Sequence, residues 1–234
     1  MRSRLRLSSQ PPLLVTAGPV VIMLAGSLDE WLPHFRGLEE RMADAVEAAW
    51  PICIAPLQSK KNAMTHEDHI TEHLVQALIR TKRVPGRIIY QYTLLAEDAG
   101  GNVSAPSNID FVLTVGDDED VYLACECKRL NVPYKTGVRG LVSEYVDEGL
   151  MRFVTGQYSS GLPLAMMLGY VMNAKTDIAR RGVGRIMALR STAIGLQSER
   201  DAAVASGRPL RFHTTHACMS GHIIEVAHIL LAWR

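Results

Sequence analysis

NIDFVLTVGDDEDVYLACECKRLN, residues 108–131, holds two apolar stretches around an acidic turn. Residues 108–115 are rich in β-branched and large apolar side chains, Gly116 and the run Asp117 to Asp120 supply the turn, and residues 121–130 resume as a second strand. A β-hairpin is expected. Side chains alternate across a strand, so Tyr122, Ala124, Glu126 and Lys128 share one face while Leu123, Cys125 and Cys127 share the other. An acid and a lysine two residues apart in an apolar strand are two charges that need partners, and Asp110 on the preceding strand is placed to supply one.

Ile109-Asp110 followed by Glu126-Cys127-Lys128 resembles the PD-(D/E)XK nuclease superfamily, with Ile109 where that family loosely keeps a proline. Phosphodiester hydrolysis must offset charge that builds on the phosphate oxygens, and hard carboxylate oxygens hold Mg²⁺ (or Mn²⁺) with positions left for water and substrate. The resemblance implies that Asp110, Glu126 and the backbone carbonyl of Cys127 are the metal ligands. Lys128 would orient or help deprotonate the attacking water, its charge then stabilising the transition state. An aspartate, a gap and an ExK triplet recur by chance, so the order of surrounding elements has to carry the weight. The plain alternative is a structural ion pair on a hairpin.

With 234 residues and 47% hydrophobic composition, the chain has the profile of a globular protein able to bury a real core. A flexible segment over residues 1–27 and a single domain over 28–234 are expected. The net charge of +1 does not announce a nucleic-acid binder, but the charges are unevenly spread. Between Glu97 and Glu126 every charged residue is acidic, whereas Lys175, Arg180, Arg181, Arg185, Arg190, Arg200, Arg208 and Arg211 outnumber Asp177, Glu199 and Asp201. Such a split suits an acidic metal site beside a basic cradle. Cys53, Cys125, Cys127 and Cys218 lack any CxxC spacing and read as reduced core residues of a cytoplasmic protein.

The basic start MRSRLRL and apolar residues 13–25 outline a secretory signal, but Pro11, Pro12, Gly18 and Pro19 interrupt it, and a short strand over 20–24 is the preferred reading. The run is also too short to span a membrane. Residues 28–49 carry Leu28, Trp31, Leu32, Phe35, Leu38, Met42, Ala45, Val46 and Ala49 at helical spacing, and a proline-containing turn follows. Residues 65–81 form the next helix, with Thr65 as N-cap, Asp68 three positions on and Ile70, Leu74, Ala77 and Leu78 as its buried stripe. The superfamily places an acid on the helix before its sheet. Glu72 is preferred to Glu67, because Thr71 and Leu74 set it near the buried edge while the helix dipole already accounts for a first-turn carboxylate. His66, His69 and His73 have a spacing that would suit zinc, but carboxylates intervene and no cysteine pair accompanies them.

Residues 87–96 alternate as the first of three antiparallel strands, 98–107 form a loop, and Pro133 in residues 132–136 breaks the sheet. Residues 137–157 read as a helix with Leu141, Tyr145, Val146, Leu150, Phe153 and Val154 inward, and 162–172 as a strand buried on both faces. Helix, three strands, helix, strand over residues 65–172 is the αβββαβ order of the superfamily. The fold class expected is therefore α/β: a restriction-endonuclease-like core with a central mixed sheet flanked by helices, extended by a C-terminal helix and strand pair. The RecB-like branch bears Gln and Tyr on its second helix; here Gln157 and Tyr158 are adjacent, which is not that spacing. The phrase YVDEGLMRFVTGQY followed by MMLGYV also resembles bacterial restriction or phage-defence nucleases.

Residues 174–205 contain a helix interrupted by Gly182 and Gly184, and residues 209–218 and 223–233 a closing strand pair with His213, His216, His222 and His228, which read as hydrogen-bonded histidines before they read as a metal cluster. The expectation is a cytoplasmic Mg²⁺-dependent endonuclease acting on DNA in antiviral defence, with Asp110, Glu126, Lys128 and Glu72 catalytic and Arg152, Gln157, Arg180, Arg181 and Arg185 on the phosphates. For Arg152, pairing with Glu148 one helical turn back is the cheaper explanation. A regulatory or sensor protein is the expected partner, because a nuclease of this net charge binds weakly alone; no membrane is involved and a homo-oligomer is open. The rivals are a catalytically silent nuclease-fold module for nucleic-acid binding or assembly, and a zinc hydrolase using the histidines.

Overall fold

The two strands around the acidic turn belong to a much larger sheet. A computed structural model describes residues 27–58, 66–97, 103–116, 121–159, 161–202 and 208–233. The expected strand over 20–24, the Thr65 cap and the turn Asp117 to Asp120 lie outside these residues. Helices α1 (Leu28–Gln58) and α2 (Glu67–Thr81) precede strands β1 (Arg87–Glu97), β2 (Val103–Thr114) and β3 (Tyr122–Leu130). A small hairpin, β4 (Val132–Tyr134) and β5 (Gly137–Arg139), leads into a helical run of α3 (Val142–Glu144), a π-helix (Tyr145–Leu150) and α4 (Met151–Val154). Then come β6 (Leu164–Val171), α5 (Thr176–Leu189), β7 (Leu196–Asp201), β8 (Leu210–Ala217) and β9 (Ile223–Ala232).

Seven strands form one mixed sheet in the order β1-β2-β3-β6-β9-β8-β7, parallel at β3-β6 and β6-β9 and antiparallel elsewhere. Helices flank it. Every residue of β6, LAMMLGYV, is buried, as a strand covered on both faces requires. Tyr170 points from β6 to one face, where it stacks on Trp50 of α1 with ring centroids 5.4 Å apart and meets the Thr71 hydroxyl of α2 at 3.1 Å. Met167 points to the other, against Gly149 of the π-helix, where a Cβ would sit 2.6 Å from the methionine methyl and make that flexible side chain shift. Among the described residues no helix is long and apolar enough to cross a membrane.

Six elements differ from the sequence expectation, the first being β2, which begins at Val103 inside the loop expected over 98–107. α1 continues to Gln58 through Pro51 and Pro56, because the burial of Trp50, Cys53 and Leu57 outweighs the lost backbone bonds. Residues 132–139 do leave the main sheet, but as a hairpin of their own, and the helix expected from Gly137 begins only at Val142 and is π-wound at its centre. α5 runs unbroken through both glycines, with Gly182 facing Val142, 3.0 Å from where a Cβ would stand. β7 was not anticipated; it is an exposed edge strand, LQSERD, whose charges deter pairing with other chains.

The C-terminal histidines are structural. His216 Nδ1 donates to the Ile194 carbonyl at 2.8 Å, which leaves its Nε2 to accept from the Thr214 hydroxyl at 2.7 Å. Thr214 in turn accepts from His228 Nε2 at 2.8 Å, and His228 Nδ1 accepts from the Tyr145 hydroxyl at 2.9 Å. This arrangement closes with both rings neutral, the form that burial favours by holding both histidines below the ordinary range.

Candidate active site

β2 and β3 pair from Thr114↔Tyr122 to Phe111↔Cys125, and their ladder ends there. Past that point two carboxylates take backbone amides that would otherwise be left open on the edge of β3. The Cys127 N–H donates to Asp110 Oδ2 at 2.6 Å, and the Arg129 N–H to Glu67 Oε2 at 2.7 Å. Val112 faces Ala124 across the ladder, so Asp110 and Glu126, two residues further along each strand, project to the same side of the sheet. The parting of the strands thus opens a cleft lined by Asp110, Glu126, Lys128 and the first turn of α2.

Lys128 Nζ donates to Glu126 Oε1 at 2.8 Å, Glu67 Oε1 at 3.0 Å and the Cys127 carbonyl at 3.0 Å. From α4, Arg152 donates to the same Glu126 oxygen at 2.9 Å and to the Tyr158 hydroxyl at 2.6 Å. Tyr158, its ring packed edge-on against Phe153, donates onward to the Asn108 carbonyl on β2. Glu126 is wholly buried, and its second oxygen, Oε2, has no hydrogen-bond partner.

The protonation pattern follows. Burial pushes Asp110 up to about 6 against the pull of Lys128 and of the Cys127 amide. Burial, with the charge of Asp110 beside it, pushes Glu126 up to about 8 despite Lys128 and Arg152. Burial alone would lower Lys128, but Glu126, Glu67 and Asp110 more than offset it and the lysine is held above its usual value. Three carboxylates face two cations here, and the two buried acids, Asp110 and Glu126, stay raised despite both cations.

Those features fit a hard divalent cation: two buried acids whose ionisation a further positive charge would favour, the Cys127 carbonyl on the same lysine as Glu126, and a buried carboxylate oxygen without a partner. Among the described residues no group of three or more His, Cys, Asp or Glu side chains is arranged to hold a metal. The groups here that could hold such a cation are Asp110, Glu126 and the Cys127 carbonyl.

Not every expected residue arrives. Glu72 is exposed, meeting the Tyr90 hydroxyl at 3.4 Å and His69 at 3.4 Å, while Glu67 reaches Lys128. Five residues turn a helix by about 140° past full circles, so the two acids cannot share a face; Thr71, one turn from Glu67, marks the inward side. Gln157 is exposed, and its neighbour Tyr158 is the residue that enters the site. Arg152 bonds Glu126 rather than Glu148. Arg180 is spent internally: it lies 4.0 Å over the Phe212 ring and pairs with Asp201 at 2.8 Å and with Glu199. Arg181 and Arg185 are exposed on α5. Much of the expected basic cradle is likewise neutralised, with Arg190 on Asp147, Arg200 on Glu225, and Arg208 and Arg211 on Asp44 and Glu47 of α1. His69 and His73 stand edge to face, 4.8 Å apart, with Glu72 beside His69 at 3.4 Å, but among the described residues they are not part of a group of three or more ligating side chains placed to hold a metal. No protein-family model, curated protein or solved structure matches the chain.

Proposed function

We propose that the chain is a Mg²⁺-dependent endonuclease of the restriction-endonuclease-like type, hydrolysing phosphodiester bonds in DNA. The observation that carries this reading is the buried, unpartnered Oε2 of Glu126 beside Asp110 and Lys128, three residues brought to one cleft from two strands. Bound by Asp110, Glu126 and the Cys127 carbonyl, Mg²⁺ would supply the positive charge that offsets the charge building on the phosphate. Lys128, kept protonated by its acids, orients the attacking water and then faces the developing negative charge; it is a cation in this chemistry and not the base. Glu67 holds Lys128 and the Arg129 amide, and so fixes the lysine's aim. Arg152, a third exposed and steadied by Tyr158, exchanges its contact with Glu126 for a phosphate oxygen.

Use in phage defence rests on the similarity of residues 145–158 to such nucleases. Control by a regulatory partner is supported by the paired arginines, which leave little free positive charge for tight binding alone. A second reading, a catalytically silent module, draws on the fact that Lys128 already has three acceptors, as a purely structural network would.

Thermal melting separates the two. With Mg²⁺ at a hundredfold excess over its Kd the wild type should melt about 5–10 °C higher, a rise that Asp110→Asn loses. Identical melting of both proteins with and without Mg²⁺ or Mn²⁺ would return the cleft to a structural ion network.

A further inference from the structure

The β4–β5 hairpin is inserted between the two elements that build the cleft, β3 with Glu126 and Lys128 and the helical run with Arg152. It joins the main sheet nowhere, pairing only with itself through Val132↔Arg139, Pro133↔Val138 and Tyr134↔Gly137. Its base is closed by the Asn131 N–H donating to the Gly140 carbonyl at 3.0 Å. All of residues 133–139 are exposed, including Tyr134 at 59% and Val138 at 50%. A protein does not hold an aromatic ring and a valine in water on a projecting ribbon for the sake of its own core.

The charge of this segment is one-sided. Residues 127–143 contain Lys128, Arg129, Lys135 and Arg139 and no acid. Arg139 contacts Glu144 at 3.0 Å, but the arginine is 70% exposed, and such a solvated pair exchanges readily for a phosphate. Seven residues separate Lys128 from Lys135, so the tip stands no more than roughly 23 Å from the cleft. That is within reach of the same duplex whose backbone enters the site.

We infer that the β4–β5 hairpin is a ribbon that seats in the major groove of duplex DNA, with Lys135 and Arg139 on flanking phosphates and Tyr134 and Val138 against the groove wall. The inference rests on the nuclease reading and names its substrate as double-stranded B-form DNA. A groove about 12 Å wide admits a two-stranded ribbon, whereas the deep, narrow major groove of A-form RNA does not.

The test uses the full chain, a fluorescein-labelled 30-base-pair DNA duplex and its RNA counterpart, with Ca²⁺ in place of Mg²⁺ during binding and Mg²⁺ in a parallel cleavage assay. Lys135→Ala/Arg139→Ala should weaken DNA binding about tenfold, and make the plot of log affinity against log salt shallower by about 1.8, the loss of two phosphate contacts. Tyr134→Ala should weaken binding without changing that slope. Circular dichroism and melting of each variant should match wild type, since every altered side chain is exposed. Wild-type affinity and slope in the double variant, while the wild type still cuts the duplex, would overturn the hairpin and leave the nuclease standing. Tighter binding of the RNA duplex would overturn the choice of DNA. A wild type that neither binds nor cuts either duplex would remove both readings together.

Discussion

Lys128 has three acceptors within 3.0 Å, two of them carboxylates, and those carboxylates deepen its preference for the charged form. Its role therefore follows from its neighbours more than from its own chemistry, and the neighbour from furthest away in sequence is Glu67. Glu67→Gln should cut turnover roughly tenfold to a hundredfold, as the loss of a group that orients a reacting side chain does, while Glu72→Gln stays within about twofold of wild type. Steady-state cleavage of a labelled duplex checks this, and equal losses from the two variants would remove Glu67 from the site. Asp110, Glu126 and Lys128 were legible in the sequence because a strand fixes side-chain direction by parity alone. Glu67 was weighed and passed over, since which side of α2 faces β3 depends on how the helix packs. The first-turn position that seemed to explain its charge is what carries it to the open amide of Arg129.

At the scale of elements, the helical run from Val142 to Val154 does the most to close the site. Its π-wound centre brings Gly149 against Met167 and Lys128, and its last turn delivers Arg152 to Glu126; π-helical turns often mark such functional places. Tyr145 ties the same run to β8 and β9 through His228, Thr214 and His216. Thr214→Val strips partners from both buried rings and should destabilise the fold by about 1–3 kcal/mol, read as a lower urea midpoint. An unchanged midpoint would mean that the chain of hydrogen bonds does not hold these strands to the helix. Strands β1, β2, β3, β6, β8 and β9 were readable from their alternation or their unbroken apolar runs. The π-helix was not, because its winding answers to the close approach at Gly149, and the β4–β5 hairpin was not, because Pro133 reads as a breaker unless the ribbon stands apart from the main sheet. β7 carries no apolar face for the eye to find.

Across the whole molecule the cleft lies where the antiparallel half of the sheet, β1-β2-β3, meets its parallel centre, β3-β6-β9. There the ladder between β2 and β3 can open without loosening β3, which β6 still holds from Cys125 to Leu130. The basic C-terminal third looked in sequence like a second half of a binding surface. In the folded chain most of its arginines brace α1, β7 and β9 instead, which composition cannot foretell because it does not show which acids the fold brings beside them, Asp44 and Glu47 coming from α1. Exposed basic residues remain on the hairpin, at Lys135 and Arg139, and on α5, at Arg181 and Arg185. Whether this cleft hydrolyses DNA with Mg²⁺ is tested most directly by cleavage of labelled duplex DNA by the wild type beside Lys128→Ala, with and without Mg²⁺. Mg²⁺-dependent cutting that falls at least a thousandfold in the variant, roughly the worth of a lost group facing transition-state charge, is the result predicted. Equal cutting by both proteins would contradict it.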